Sequence, residues 1–139
     1  MNRQNKFDQA YMKMALEWAN LSQAKRKQVG CLIVKNNSII ADGFNGTPSG
    51  MDNECEGPDG KTLWYVLHAE ANALSKIMKS TQSSDSATLY TTLSPCKECS
   101  KLILQAGIKR VVYLDDYKCD AGIDFLRGNG VEIEKIELK

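Results

Sequence analysis

The chain has 139 residues, 42% hydrophobic and 25% charged, which is enough for one domain with a buried core and unlike a disordered segment. Eighteen basic and seventeen acidic residues leave a formal net charge of +1, which gives no support to a dedicated nucleic-acid binder, since such proteins usually have a basic surface stripe. The sequence shows no secretory leader and no apolar run of membrane-spanning length, so we expect a cytoplasmic protein without a membrane partner or a stable nucleic-acid partner.

The hydrophobic pattern predicts a helix followed by a hairpin. Apolar residues recur at steps of four and three on one helical face, at Phe7, Tyr11, Met14, Trp18 and Leu21. Two apolar runs then flank Asn36-Asn37, a pair that favours a tight turn between two strands. The segment 46–61 follows, and its two prolines and four glycines indicate a long functional loop.

Helices and strands alternate through the rest of the chain. The pattern predicts a helix over 68–78, a strand over 87–93, a helix over 95–105, a strand over 109–114, a helix over 120–127 and a strand over 131–138. No repeat or linker divides residues 1–139, so we expect a single domain. The predicted fold class is α/β, a three-layer α/β/α sandwich with a central mixed sheet of about five strands.

The cysteines and the one histidine suggest a metal site. Five cysteines is an odd number, which argues against a closed disulfide framework. Cys96 and Cys99 are three residues apart, so both sulfurs point the same way in the first turn of a helix. With His68 they form a three-ligand set for Zn²⁺ that leaves the fourth coordination position open, as in catalytic sites.

Glu70 lies two residues after His68, at the start of the same predicted helix. Side chains two apart on an ideal helix point to nearly opposite sides, so the two should not bind one ion together. At a helix tip, however, one can ligate while the other reaches a water molecule on the metal. We therefore predict that Glu70 carries protons and is not a ligand.

Other interpretations of these residues stay open. The Cys96-x-x-Cys99 pair alone is compatible with redox chemistry, although no thioredoxin-like pattern precedes it. A structural zinc site would need a fourth ligand from Cys31, Cys55 or Cys119. The combination His-x-Glu, then a strand, then Pro-Cys-x-x-Cys is more specific, because it is the signature of zinc deaminases of nucleobases.

Through these motifs, residues 7–135 resemble the cytidine and deoxycytidylate deaminase superfamily, and within it the deoxycytidylate deaminases. The resemblance is carried by the segments QVGCLIV, GFNGTPSG, YVLHAEANA and LSPCKECSKLILQAGIKRVVY. It implies zinc-dependent hydrolysis of deoxycytidine monophosphate (dCMP) to deoxyuridine monophosphate (dUMP) and ammonia.

The resemblance also implies roles for individual residues. His68, Cys96 and Cys99 match the zinc ligands, and Glu70 matches the proton shuttle. Five more positions match substrate contacts: Asn45 for the sugar, the backbone of Ala69 and Ser94 for the pyrimidine edge, Arg26 for a phosphate and Tyr117 for a wall of the pocket. The cluster at 25–27 is equally compatible with cations at a helix C-terminus.

Finally, the resemblance implies a homo-oligomer, favouring a hexamer, with dCTP and dTTP as effectors. Some members bind a second, structural zinc through further histidines, which this chain lacks. The alternatives are a deaminase of guanine, cytidine or tRNA adenosine, and a non-catalytic zinc-stabilised module. The net charge of +1 argues against a tRNA substrate, and a non-catalytic module would not need Glu70.

Overall fold

The central layer of the protein is a mixed β-sheet. A computed structural model describes residues 2–139, with strands β1 (Gly30–Lys35), β2 (Ser38–Phe44), β3 (Thr88–Leu93), β4 (Arg110–Asp115) and β5 (Glu132–Lys135). Their spatial order is β2-β1-β3-β4-β5. Strand β1 is antiparallel to both neighbours, whereas β3, β4 and β5 run parallel.

Helices cover both faces of this sheet. They are α1 (Arg3–Ala19), α2 (Ala69–Met78), α3 (Lys97–Gln105) and α4 (Ala121–Gly128). Helix α1 packs alone on one face, and α2, α3 and α4 pack on the other around a larger apolar core. The predicted three-layer α/β/α sandwich with five strands is thus confirmed. No helix within residues 2–139 is long and apolar enough to cross a membrane.

The face of α1 that packs on the sheet matches the predicted one in the first half of the helix and differs from it in the second half. Met14 is 39% exposed, and Leu21, 54% exposed, lies beyond the end of the helix. Met12 and Ala15 are fully buried instead. The reason is a close backbone contact, since a Cβ at Gly30 would lie 1.9 Å from the Ala15 carbonyl oxygen. A helix this near to a strand presents small side chains there, which a count of large apolar residues overlooks.

Two element boundaries also differ from the predictions. The last strand pairs over Glu132–Lys135 only, although Ile136 and Leu138 continue to pack on the α1 side. The helix predicted over 95–105 begins at Lys97, and Cys96 is its N-cap. The hairpin turn is confirmed, since Asn36 and Asn37 have φ angles of 52° and 61°, as such a turn requires.

An ionic cluster joins α1 to the sheet on the face away from α2. Arg110 donates two hydrogen bonds to Asp8, at 3.0 and 2.8 Å, and the Tyr90 hydroxyl donates a third at 2.5 Å. The side chains of Asp8 and Arg110 are only 3% and 12% exposed. Burial alone would raise the pKa of Asp8, but the bonds from Arg110, Tyr90 and Gln4 together lower it below its ordinary value.

We expect Asp8→Asn to lower the free energy of unfolding by about 3 kcal/mol at pH 7, because the buried guanidinium of Arg110 would lose its buried counter-charge and keep only two exposed carboxylate partners. Since the pKa of Asp8 is lowered in the folded protein, the wild-type advantage is present above the ordinary pKa and fades as the pH falls through the lowered one. Urea unfolding at pH 7 and at acidic pH measures this.

The matched control is Glu132→Gln, which removes another carboxylate that contacts Arg110, at 2.7 Å, but is 68% exposed. Glu132→Gln should lower the free energy of unfolding by less than about 1 kcal/mol. An equal cost for both variants would contradict the importance assigned to the buried pair.

Candidate functional site

Three metal-ligating side chains meet where α2 and α3 begin. His68 is the N-cap residue of α2, and Cys96 is the N-cap residue of α3. The His68 Nδ1 atom lies 3.2 Å from Cys99 Sγ and 3.5 Å from Cys96 Sγ. All three ligand atoms lie within 4.8 Å of one another. The loop before α2 and the first turn of α3 are therefore brought together as the spacing predicts.

These distances fit a zinc ion. Zinc–sulfur and zinc–nitrogen bonds of about 2.3 and 2.0 Å place tetrahedral ligand atoms about 3.5 Å apart. Among residues 2–139 this is the one group of side chains spaced to hold a metal, and Cys31, Cys55 and Cys119 are not part of it. The described residues therefore form no four-ligand group that includes one of these three cysteines. The three ligands leave one coordination position for water or substrate.

The cluster favours an ionised sulfur. Hydrogen bonds from the Cys99 thiol and from His68 lower the pKa of Cys96 to about 3, against the opposing effect of burial. The hydrogen bond between the two cysteines, together with burial, raises the pKa of Cys99. Both cysteines lie at the N-terminal end of α3, where the helix dipole also favours negative charge. A thiolate is the form that binds zinc, so the cluster is suited to the metal.

Glu70 lies beside the ligands and is only 4% exposed. Burial raises the pKa of its carboxyl to about 7, while the Glu70 backbone N–H and His68 partly oppose the shift. Such a group can both accept and release a proton near neutral pH.

Two residues beside the metal ligands, Ala69 and Ser94, offer polar backbone atoms to a ring-shaped small molecule. Ala69 is the first residue of α2, where a backbone N–H has no partner inside the helix. Ser94 donates its N–H to Asp115 O at 2.9 Å, and its hydroxyl accepts the Tyr117 N–H at 2.7 Å. The carbonyl oxygen and the hydroxyl hydrogen of Ser94 take no part in these two bonds, so both can contact a ligand.

Two of the three metal ligands, His68 and Cys96, border a cavity of about 510 Å³, a size typical of small-molecule sites. Of the residues predicted from sequence, its lining includes Arg26, Asn45, His68, Ala69, Glu70, Ser94, Cys96 and Tyr117. Cys99 lies behind the wall and is 4% exposed. The chain therefore gathers the predicted site residues at one place.

Sequence reasoning missed three charged residues of this lining: Glu56, Asp116 and Lys118. A fourth, Lys27, belongs to the cluster at 25–27 that the sequence offered as a phosphate contact. Asp116 and Lys118 flank Tyr117, so adjacency to a predicted residue was an available signal for both. Glu56 lies within the predicted functional loop 46–61, but nothing in the sequence singled it out there.

Asn45 has a structural task as well as a place in the lining. Its Oδ1 atom accepts the Val29 N–H at 2.8 Å, and its Nδ2 atom donates to Lys27 O at 2.7 Å. The amide therefore ties the segment before β1 to the end of β2. One N–H and one lone pair of the amide remain for a ligand.

Two glycines allow the close backbone packing behind the ligands. A Cβ at Gly43 in β2 would lie 2.6 Å from Ala69 O in the first turn of α2. A Cβ at Gly122 in α4 would lie 2.4 Å from Pro95 O and 2.9 Å from the Cys96 carbonyl carbon. Each ligand segment is thus backed by a neighbouring element in direct backbone contact.

Comparison with known proteins agrees with this geometry. Residues 5–115 match the family model for the cytidine and deoxycytidylate deaminase zinc-binding region. Deoxycytidylate deaminase of Saccharomyces cerevisiae is 34% identical over 95% of this chain and 45% of its own length. That of Schizosaccharomyces pombe is 37% identical over 93% of this chain and 44% of its own. The chain thus spans less than half the length of either yeast relative.

A solved structure is similar over its whole length. The dCMP deaminase from the cyanophage S-TIM5, in complex with dCMP and dUMP, is 50% identical, with a TM-score of 0.92. The match covers 98% of this chain and 99% of that one. Fold and site together define a zinc-binding α/β domain with an open metal position. The chain belongs to the cytidine and deoxycytidylate deaminase family.

We expect Gly122→Ala to weaken zinc binding, because the added methyl group would displace Pro95 and Cys96. Wild-type protein should hold one zinc per chain, and the variant should lose zinc to a chelator at a concentration at least about tenfold lower, corresponding to the 1–3 kcal/mol cost of overpacking. Competition with a fluorescent chelator and elemental analysis measure this.

Gly128→Ala is the matched control, since it lies in the same helix and an added Cβ would meet nothing within 4 Å. It should retain zinc like the wild type and be slightly more stable. If Gly122→Ala retains zinc equally well, the close contact does not position the ligand.

Proposed function

We propose that this chain catalyses the hydrolytic deamination of dCMP to dUMP and ammonia. The observation that carries the proposal is that one cavity joins the metal ligands, the buried carboxyl of Glu70, and three exposed cations. The first two suit hydrolysis of a nucleobase amine, and the cations suit a phosphate. The similarity to a phage enzyme in complex with dCMP and dUMP supports the same substrate.

The residues around the metal can orient the pyrimidine. The Ala69 N–H can donate to the ring carbonyl oxygen, and the Ser94 carbonyl oxygen can accept from the amine that leaves. The bound Zn²⁺ supplies Lewis acidity, which makes a water molecule reactive at neutral pH. Glu70 would take one proton from the attacking water molecule and pass it to the ring nitrogen N3 as the water oxygen bonds to C4. It would then pass the second proton of that water to the amine, which leaves as ammonia when its bond to C4 breaks.

The cations Arg26, Lys27 and Lys118 are the candidate phosphate contacts. The nearby carboxylate of Asp116 is paired with Lys135 at 2.6 Å, so its charge is partly compensated. Arg26 is the strongest candidate, because a guanidinium can donate two parallel hydrogen bonds to a phosphate. Asn45 and Tyr117 complete the proposed sugar contact and pocket wall.

The alternative is a deaminase of a nucleoside or a free base, which would not need these cations. We further propose that residues 1–139 act as one domain, in the cytoplasm, as a homo-oligomer (a hexamer is favoured) with dCTP and dTTP as effectors. The oligomer and the effectors rest on the family resemblance, and the single domain and the cytoplasm rest on the sequence pattern.

Glu70→Gln keeps the size of the side chain but cannot accept a proton from water. We expect kcat for dCMP to fall at least ~100-fold, the usual effect of removing a general base. Zinc content should be unchanged, because Glu70 is not a ligand in this scheme. Ammonia release and elemental analysis on the same preparation measure both. Loss of zinc would show that the carboxylate has been given the wrong role.

Arg26→Ala should lower kcat/KM for dCMP about 10- to 100-fold, the effect of losing a hydrogen bond between charged groups. Activity on deoxycytidine should change little, because the metal and Glu70 are untouched. Steady-state kinetics with both substrates measure the difference.

Lys25→Ala is the matched control, since it removes a neighbouring cation that does not line the cavity. It should leave the preference for dCMP intact. Equal wild-type rates on dCMP and deoxycytidine would instead assign the chain to the nucleoside deaminases.

A further inference from the structure

The segment 22–29 carries Arg26 and Lys27 between α1 and β1, outside any helix or strand. Such a segment has many backbone conformations in the absence of fixing contacts, and ordering it costs conformational entropy. The position of the Arg26 guanidinium depends on the backbone that carries it, because the arginine side chain is itself flexible. The contacts that hold this backbone therefore bear on substrate affinity.

Glu56 provides the contacts that hold the backbone at Arg26 itself. Its two carboxylate oxygens accept the Lys25 N–H at 3.2 and 3.0 Å, and one of them accepts the Arg26 N–H at 3.3 Å. These bonds join residues about 30 positions apart. Hydrogen bonds from backbone N–H groups to a carboxylate are charge-assisted and stronger than neutral ones.

Glu56 is itself held by local structure. It forms an antiparallel bridge with Thr62, and Gly57 N donates to Lys61 O at 2.9 Å. Leu63 N donates to the carbonyl oxygen of Cys55 at 2.8 Å, and Cys55 is 2% exposed. The carboxylate therefore extends from a small, anchored hairpin over residues 55–63, at the end of the 46–61 loop.

The bond pattern leaves the charge of Arg26 available. Among the ion pairs of residues 2–139, none involves the Arg26 guanidinium, and Glu56 contacts only the main chain at this position. Glu56 thus fixes the backbone of Arg26 without pairing with its side chain.

We propose that Glu56 is a positioning residue for phosphate recognition, which fastens the backbone of Lys25 and Arg26 so that the guanidinium is presented to the substrate. This inference rests on the proposed function of Arg26. It also assigns a role to the 46–61 loop. The loop connects the segment before α2 to the part of the cavity where Arg26 would bind the phosphate.

Glu56→Gln tests the proposal sharply. Glutamine has one acceptor oxygen, and its amide group would face a backbone N–H, so the bonds to Lys25 and Arg26 cannot all be kept. We expect KM for dCMP to rise about tenfold and kcat to stay within about twofold, because the chemistry is elsewhere. Kinetics on deoxycytidine should be nearly unchanged.

A second measurement separates this proposal from the proposed function. Hydrogen exchange by mass spectrometry should show faster exchange over residues 22–29 in Glu56→Gln than in the wild type. Wild-type protein without a preference for dCMP would refute the proposed function. Unchanged exchange in the variant would refute the positioning role, whatever the substrate.

Glu54→Gln is the matched control, because it removes the same charge from the same loop at an exposed side chain outside the cavity lining. It should match the wild type in both measurements. If Glu56 acted only through its charge, Glu56→Gln would lower KM for dCMP instead of raising it, since the variant removes a negative charge near the phosphate. A lowered or unchanged KM for dCMP in Glu56→Gln, or an equal rise for deoxycytidine, would overturn the proposal.

Discussion

Both helices that carry the metal ligands begin at a ligand, and the rest of the site depends on this arrangement. His68 and Cys96 are N-cap residues, so their side chains project from helix tips where backbone N–H groups are unpaired and the dipole is positive. The same two tips therefore stabilise a thiolate and offer the Ala69 N–H to a ligand. They also place Glu70 one residue inside α2, beside the metal position and out of water.

This geometry requires close packing behind the helix tips. Gly43 and Gly122 bring β2 and α4 into backbone contact with the two ligand segments, where any side chain would collide. An isolated bridge between Gly46 and Leu67 fastens the residue before His68 to the end of β2. The site is thus supported by main-chain contacts, which tolerate little displacement. The ionic cluster of Asp8 and Arg110 stabilises the opposite face of the sheet, and neither residue lines the cavity.

Around the cavity, polar side chains are used mainly to hold backbone. Asn45, Gln28 and Glu56 each bond main-chain atoms of the segment 22–29, and the Ser22 hydroxyl donates to Asn45 O at 2.8 Å. A segment without regular secondary structure needs such bonds, because its N–H and carbonyl groups have no ladder partners. The exposed cations beside it remain available, and this division of tasks connects the fold to the proposed nucleotide specificity.

The sequence by itself determined the order of the elements and the metal set. Cys96 and Cys99 lie within one helical turn and His68 starts another helix, so local geometry fixes their directions once the helices are recognised. Tertiary structure decided which face of α1 is buried, because the approach of Ala15 to Gly30 depends on two elements at once. It also decided the contact between Glu56 and residues 25–26, which joins two irregular segments about 30 residues apart. Periodicity describes one element at a time, whereas the conformation of a loop is set by the partners that satisfy its backbone.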